Sequence, residues 1–131
     1  MTEVSGTVVA ATWVSRRADG AVLGVRPHGA GAFFLPGGVP EEGETYAEAA
    51  AREVFEETGI VVDAGALREV ARVTGPAYGR PGWAVLLVCF EGPGVGEPVA
   101  GPDEIAEVAW IGVHEHDRFA DAVRTALGLG C

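Results

Sequence analysis

The sequence predicts an α/β fold in which a mixed β-sheet lies between helices. Apolar, β-branched runs alternate with two well-separated helical patterns, which is the pattern of a sheet with helices packed on its faces. The chain has 131 residues and is 48% hydrophobic, enough to fill one core, so a single domain over residues 1–131 is expected. Gly- and Pro-rich stretches punctuate the apolar runs, and no internal repeat is visible.

Val4 to Val14 is largely β-branched or small and reads as a first strand. Arg16 to Gly20 supplies a charged turn, and Ala21 to Arg26 is a second apolar strand. Pro27 to Ala32 is a Gly-rich loop; Phe33-Phe34-Leu35 reads as a short aromatic strand that stops in a sharp turn at Pro36-Gly37-Gly38. Thr45 and Glu48 have the spacing of a capping box, strong helix formers follow, and Gly59 is placed to end the helix, which predicts a helix over 45–58. Leu67 to Thr74 and Trp83 to Glu91 read as strands, with a Gly/Pro loop from Gly75 to Gly82 between them. Gly92 to Pro102 is a surface loop and Glu107 to Val113 a last strand. Asp117 to Leu129 is a closing amphipathic helix with Phe119, Val123 and Leu127 on one face.

The net charge of −10 opposes tight binding to a nucleic-acid backbone, and no basic stripe is present. Lys, Asn and Gln are absent, so a substrate phosphate must meet Arg, backbone N–H groups or a metal ion. Cys89 and Cys131 form neither a disulfide framework nor a metal spacing, which fits a reducing cytoplasm. No window is long and apolar enough to cross a bilayer and no leader segment is recognisable, so a soluble protein without membrane or nucleic-acid partners is expected. It would act as a monomer or homodimer.

Charge is most concentrated between Glu41 and Glu57, where Glu41, Glu42, Glu44, Glu48, Glu53, Glu56 and Glu57 accompany one cation, Arg52. On a helix Glu53, Glu56 and Glu57 share a face and repel by a few tenths of a kcal/mol per pair (~0.2–0.5). Glu56 and Glu57 also meet the negative end of the helix dipole, at roughly 0.3–1 kcal/mol each. When local rules fail together in one turn, a ligand usually compensates, and a divalent cation with oxygen ligands would do so here. Glu53 and Glu57 are the natural ligands, with Glu56 as a further ligand or bridge.

Gly38, Glu44, Arg52-Glu53-Val54, Glu56-Glu57 and Gly59-Ile60 match, at every defined position, the signature of the Nudix hydrolase family. The entry Phe33 to Gly38 and the late pair Glu104 and Trp110 also resemble that family, in particular its small, MutT-like members. The resemblance implies an α/β/α sandwich whose signature forms a loop, helix and loop. It implies that the Gly38 carbonyl joins Glu53 and Glu57 around magnesium, with manganese as an alternative ion, and that Arg52 orients the glutamates. The expected reaction is hydrolysis of a diphosphate linkage in a nucleoside di- or triphosphate or a related small nucleoside diphosphate derivative.

A water must lose its proton, and Glu56 is the first choice of base because it lies beside the two ligands; Glu104 is the second. Glu44 is assigned to support of the loop. Arg26 is a candidate for holding a phosphate, and Phe33, Tyr78 and Trp83 for stacking on a base. Arg16, Arg17 and Arg80 are assigned to solvated turns, and His28, His114 and His116 to the surface. The alternative function is a non-catalytic nucleotide or sugar-nucleotide sensor of the same fold. Hydrolysis ranks ahead of it because every signature carboxylate is kept.

Overall fold

The structure, a computed structural model, describes residues 6–128. Its strands are β1 (Gly6–Trp13), β2 (Val22–Pro27), β3 (Gly37–Gly38), β4 (Val61–Val62), β5 (Arg68–Pro76), β6 (Trp83–Glu91), β7 (Gly94–Val95) and β8 (Ile105–Ile111). The helices are α1 (Tyr46–Thr58) and α2 (Asp121–Gly128), with 3₁₀ turns at Ala64–Ala66 and Val113–Arg118.

A four-stranded sheet of order β3-β1-β6-β5 is mixed: β1 and β6 run parallel, and the two outer pairs are antiparallel. Strand β6 explains why two helices are needed. Its run Leu86 to Phe90 is apolar at every position, as a strand covered on both faces must be. Leu87 and Cys89 pack with Ala122, Val123, Ala126 and Leu127 of α2, whereas Val88 and Phe90 pack with Ala49 and Ala50 of α1. Successive side chains point to opposite faces of a strand. The two helices therefore lie on opposite faces, which is the mixed α/β arrangement expected. Each fully buried side chain of this kind contributes about 1.5–3 kcal/mol.

A second sheet pairs β2 with β8 and meets the C-terminal half of α1 through Leu23, Trp13, Val54, Ile60 and Val62. Helix α1 begins and ends as expected. The Thr45 side chain accepts from the Glu48 N–H at 3.1 Å, and the Glu48 carboxylate accepts from the Thr45 N–H at 2.8 Å. At the other end Gly59 has φ +75, a left-handed cap open to glycine at no steric cost.

Several boundaries differ from the sequence expectation. Gly37-Gly38, read as a sharp turn, pairs antiparallel with Ala11 and Thr12 as β3. A Cβ at Gly37 (φ +154) would lie 2.2 Å from the Ala11 carbonyl oxygen, so only glycine permits this approach. The segment Phe33-Phe34-Leu35 is tied at single bridges, Phe34 to Val25 and Phe33 to Phe119, and forms no strand. That second bridge also shortens the closing helix. Phe33 accepts from the Ala120 N–H and donates to the Arg118 carbonyl, which holds Phe119 extended between the 3₁₀ turn and the start of α2 at Asp121. Phe119 lies before α2, yet it is buried together with Val123 and Leu127. The Gly92 to Pro102 loop contains β7, paired with β4, and the last strand starts at Ile105. The expected ends at Val4 and Leu129 fall outside the described residues. No helix among the described residues is long and apolar enough to cross a membrane.

Removing the N-terminal cap of α1 tests this local reading. Thr45→Ala is expected to lower unfolding free energy by about 1 kcal/mol in a urea titration, and an unchanged midpoint would show that the capping box contributes nothing.

Candidate active site

Helical spacing sets Glu53 and Glu57 four residues apart on the face of α1 that packs toward β3. Glu57 is only 8% exposed, and one of its oxygens accepts from the Gly37 N–H at 3.0 Å. Glu53 lies against Gly38, where a Cβ would sit 2.5 Å from the Glu53 carboxyl carbon, so the glycine at 38 makes room for the carboxylate. The third acid arrives from the loop before β8. Glu53, Glu57 and Glu104 each present a carboxylate oxygen, and these oxygens lie within 4.8 Å of one another.

The loop reaches this position by docking on the end of α1. The Val99 N–H donates to the Thr58 carbonyl at 2.9 Å and the Gly101 N–H to the Glu57 carbonyl at 2.8 Å. Last-turn carbonyls of a helix have no partner within the helix, so an outside donor must satisfy them. Here the donors belong to the segment that carries Glu104.

Arg52 organises the opposite side. Its Nε and Nη2 donate to the two oxygens of Glu44 at 2.7 and 3.0 Å, and Nη1 donates to Glu53 at 2.9 Å and to Glu56 at 3.1 Å. Nη2 also reaches the Val39 carbonyl at 3.3 Å, tying the loop after β3 to the helix. The hydrogen bonds from Arg52 hold the Glu44 carboxyl below the usual carboxylate range. Glu44 in turn accepts from the Glu41 N–H at 2.8 Å, which braces the loop. Glu56 lies apart from the other acids: its side chain is 54% exposed and paired with Arg52, outside the Glu53, Glu57 and Glu104 cluster.

Burial pushes the Glu57 carboxyl up to about 8, with repulsion from Glu53, Glu104 and Glu56 added and only the Gly37 N–H opposing. Glu53 is raised by the same cause, offset in part by Arg52. Converging carboxylates that resist ionisation in the bare protein are a donor set that a hard divalent cation neutralises. The residues present therefore fit such an ion.

A cleft of about 260 Å³ begins at Gly37 and Glu57 and runs over β1, β5 and β6 to Tyr78 and Arg80. Its walls are mainly apolar, including Val8, Val25, Phe34 and Val85. Tyr78 meets Phe34 edge-on at 5.3 Å, and its hydroxyl accepts from the Gly31 N–H at 2.9 Å, linking two loops across the cleft mouth. Arg80, assigned to a solvated turn, lines the cleft with its guanidinium 4.1 Å from the Trp83 ring centroid.

Two expected substrate contacts are placed elsewhere. Phe33 is 4% exposed, packed in the core beside α2 and covered by Arg118 at 4.7 Å, so no base has access to its ring. Its neighbour Phe34 takes the cleft side, because adjacent residues of an extended segment face opposite ways. Alternation tells that the two rings part company, but not which of them enters the core. Arg26 lies between two cleft-lining residues, Val25 and Pro27, and so faces away. Its guanidinium is engaged by Glu107 at 3.2 Å and by the Ala30 carbonyl at 3.2 Å. His28 and His114 are exposed, whereas His116 is half-buried edge-on to Phe119, and its Nε2 has no hydrogen-bond partner among the described residues.

A family model for the NUDIX domain matches residues 6–127. The chain is 44% identical over 108 residues to a MutT-like protein of Streptomyces ambofaciens, an alignment covering 82% of this chain and 61% of that relative. It therefore spans less than two thirds of that relative's length. Among solved structures it is similar to the MutT NUDIX hydrolase from Burkholderia pseudomallei, with a TM-score of 0.80 and 22% identity over 95% of this chain and 98% of the other. A NUDIX hydrolase from Nitrosomonas europaea gives a TM-score of 0.77 and 21% identity over 95% and 88% of the two chains. At these identities the structural likeness speaks for the fold.

The raised Glu57 carboxyl makes a stability prediction for the metal-free protein. Between the ordinary value of 4.5 and about 8 the unfolded chain releases a proton that the folded chain keeps. Stability should then fall as pH rises through that window and level off above it. Melting profiles of Glu57→Gln should lose most of this slope; equal slopes in the variant and the parent would refute the assignment.

Proposed function

The chain belongs to the NUDIX family, and from that premise we propose that it is a magnesium-dependent hydrolase of a diphosphate linkage in a nucleoside di- or triphosphate or a related nucleoside diphosphate derivative. The observation that supports this reading best is the meeting of Glu53, Glu57 and Glu104 at the end of the apolar cleft. A diphosphate would lie at the carboxylates and the organic group in the cleft.

Glu53 and Glu57, with the Gly38 carbonyl, would hold the ion, and Arg52 fixes the orientation of Glu53 from behind. The chemistry that magnesium, or manganese in its place, would supply there is neutralisation of the diphosphate and a lowered pKa for the attacking water. Glu104 is the better-placed acceptor for that water's proton, because its carboxylate belongs to the cluster while Glu56 is tied to Arg52 at the surface. Glu104 is therefore preferred to Glu56 as the base. Recognition of the organic group rests on stacking and shape. The side chains of Thr12, Tyr78 and Arg80 in the cleft wall already engage the Val88 carbonyl, the Gly31 N–H and the Trp83 ring.

A screen of nucleoside di- and triphosphates and nucleoside diphosphate derivatives, read by phosphate or pyrophosphate release with magnesium, tests the proposal. Turnover should vanish with chelator and in Glu57→Gln. Glu104→Gln should lower kcat roughly 10²- to 10⁴-fold, against less than roughly 10-fold for Glu56→Gln. Turnover that survives chelation unchanged contradicts the metal assignment, and nucleotide binding without turnover returns the sensor reading. For the cleft, Tyr78→Ala should reduce kcat/KM about 10-fold through KM, the scale of one aromatic stack; an unaffected KM removes Tyr78 from substrate binding.

A further inference from the structure

Glu104 is exposed and sits on a Gly/Pro-rich loop, yet its carboxylate meets two acids of α1 against electrostatic repulsion. Something must hold the loop in place. Three contacts do so at one point: the Gly101 N–H to the Glu57 carbonyl, the Val99 N–H to the Thr58 carbonyl, and the close approach of the Gly101 Cα to the helix end. A Cβ at Gly101 would lie 2.3 Å from the Glu56 carbonyl oxygen and 3.3 Å from the Glu57 Cα. Those neighbours are helix backbone and have nowhere to move. The Gly101 carbonyl then accepts from the Ile105 N–H at 3.2 Å, and the Glu104 carbonyl accepts from the His28 N–H at 3.0 Å, so the turn from 101 to 105 is fixed at both ends.

We infer that Gly101 is a positioning residue: it seats the loop on the carbonyls of the same helix turn that carries Glu57, and so sets Glu104 at the distance required to complete the acidic cluster. This rests on the proposed function and adds to it that Glu104, the acceptor of the water's proton, also helps hold the ion from its place beside Glu53 and Glu57. The coupling is short. The Glu57 side chain faces the cluster while the Glu57 carbonyl, one backbone away, receives the loop, so helix and loop acids share one anchor.

Manganese titration by calorimetry or electron spin resonance, with kcat measured alongside, tests the inference. Gly101→Ala adds one methyl group and should lift the loop, weakening manganese binding by roughly 10- to 100-fold, the range for residues that orient ligands. Glu104→Gln should weaken it by a similar factor, and the double variant should be no worse than either single one, because both remove the same carboxylate from the cluster. Val99→Pro deletes the other donor and sets its ring Cδ against the Thr58 carbonyl, so it lifts the loop at a different point of the same anchor. It should show the same non-additivity with Glu104→Gln, which covers a Gly101→Ala chain that fails to fold. Manganese affinity of Gly101→Ala within twofold of the parent, or effects that multiply in either double variant, overturns the inference. Coupled manganese binding without turnover of any diphosphate supports the role of Gly101 while removing the hydrolase reading.

Discussion

Like charge gathered in a half-dry corner is the constraint around which this chain is arranged. Glu53, Glu57 and Glu104 bring oxygens within 4.8 Å of one another, and Glu57 does so from a position 8% exposed. Each of the three is held by something that resists the repulsion. Arg52 binds Glu53, the Gly37 N–H binds Glu57, and the docking of Val99 and Gly101 on the end of α1 carries Glu104. Arg52 also takes both oxygens of Glu44, so the loop between β3 and α1 is locked to the helix by the same guanidinium. Loss of that residue would release two elements at once.

The fold serves this corner by setting three backbone segments edge to edge. The β3 pair Gly37-Gly38 lies against β1 with no room for side chains, and this lets α1 approach close enough for Glu53 to sit on Gly38. The two-sided burial of β6 places α1 and α2 on opposite faces, and the cleft opens between the α2 side of the sheet and the loops joined by Tyr78. The acids stand at one end of that cleft and the aromatic residues at the other. In the proposed reaction the division is chemical as well as spatial, with charge handled by one half of the site and shape by the other.

Much of this was legible in the sequence wherever the cause is local. Capping box, helix formers and Gly59 act within a few residues of one another, and α1 begins and ends where they place it. Strand β6 was recognisable because an unbroken apolar run flanked by glycines has few other homes. The overcrowded end of α1 was legible too, since its broken rules are i, i+3 and i, i+4 rules. What stayed hidden was produced by distant segments. Gly37-Gly38 reads as a turn until β1 is beside it, and β4 and β7 are too short to be seen without each other. Phe33 and Phe34 are identical in type, and only the packing of α2 decides that the first enters the core and the second the cleft. The approach of Glu104 depends on helix carbonyls that no pattern in its own loop announces.

The central claim is that the acidic corner waits on a cation to become fully charged. Its most direct measurement is the number of protons released when magnesium binds, obtained by calorimetry at pH 7 in two buffers of different ionisation enthalpy. With the Glu57 carboxyl pushed up to about 8, binding at pH 7 should release close to one proton, and the release should fade as pH rises well above 8. Magnesium binding that releases no proton at pH 7, or the same number at every pH, would contradict it.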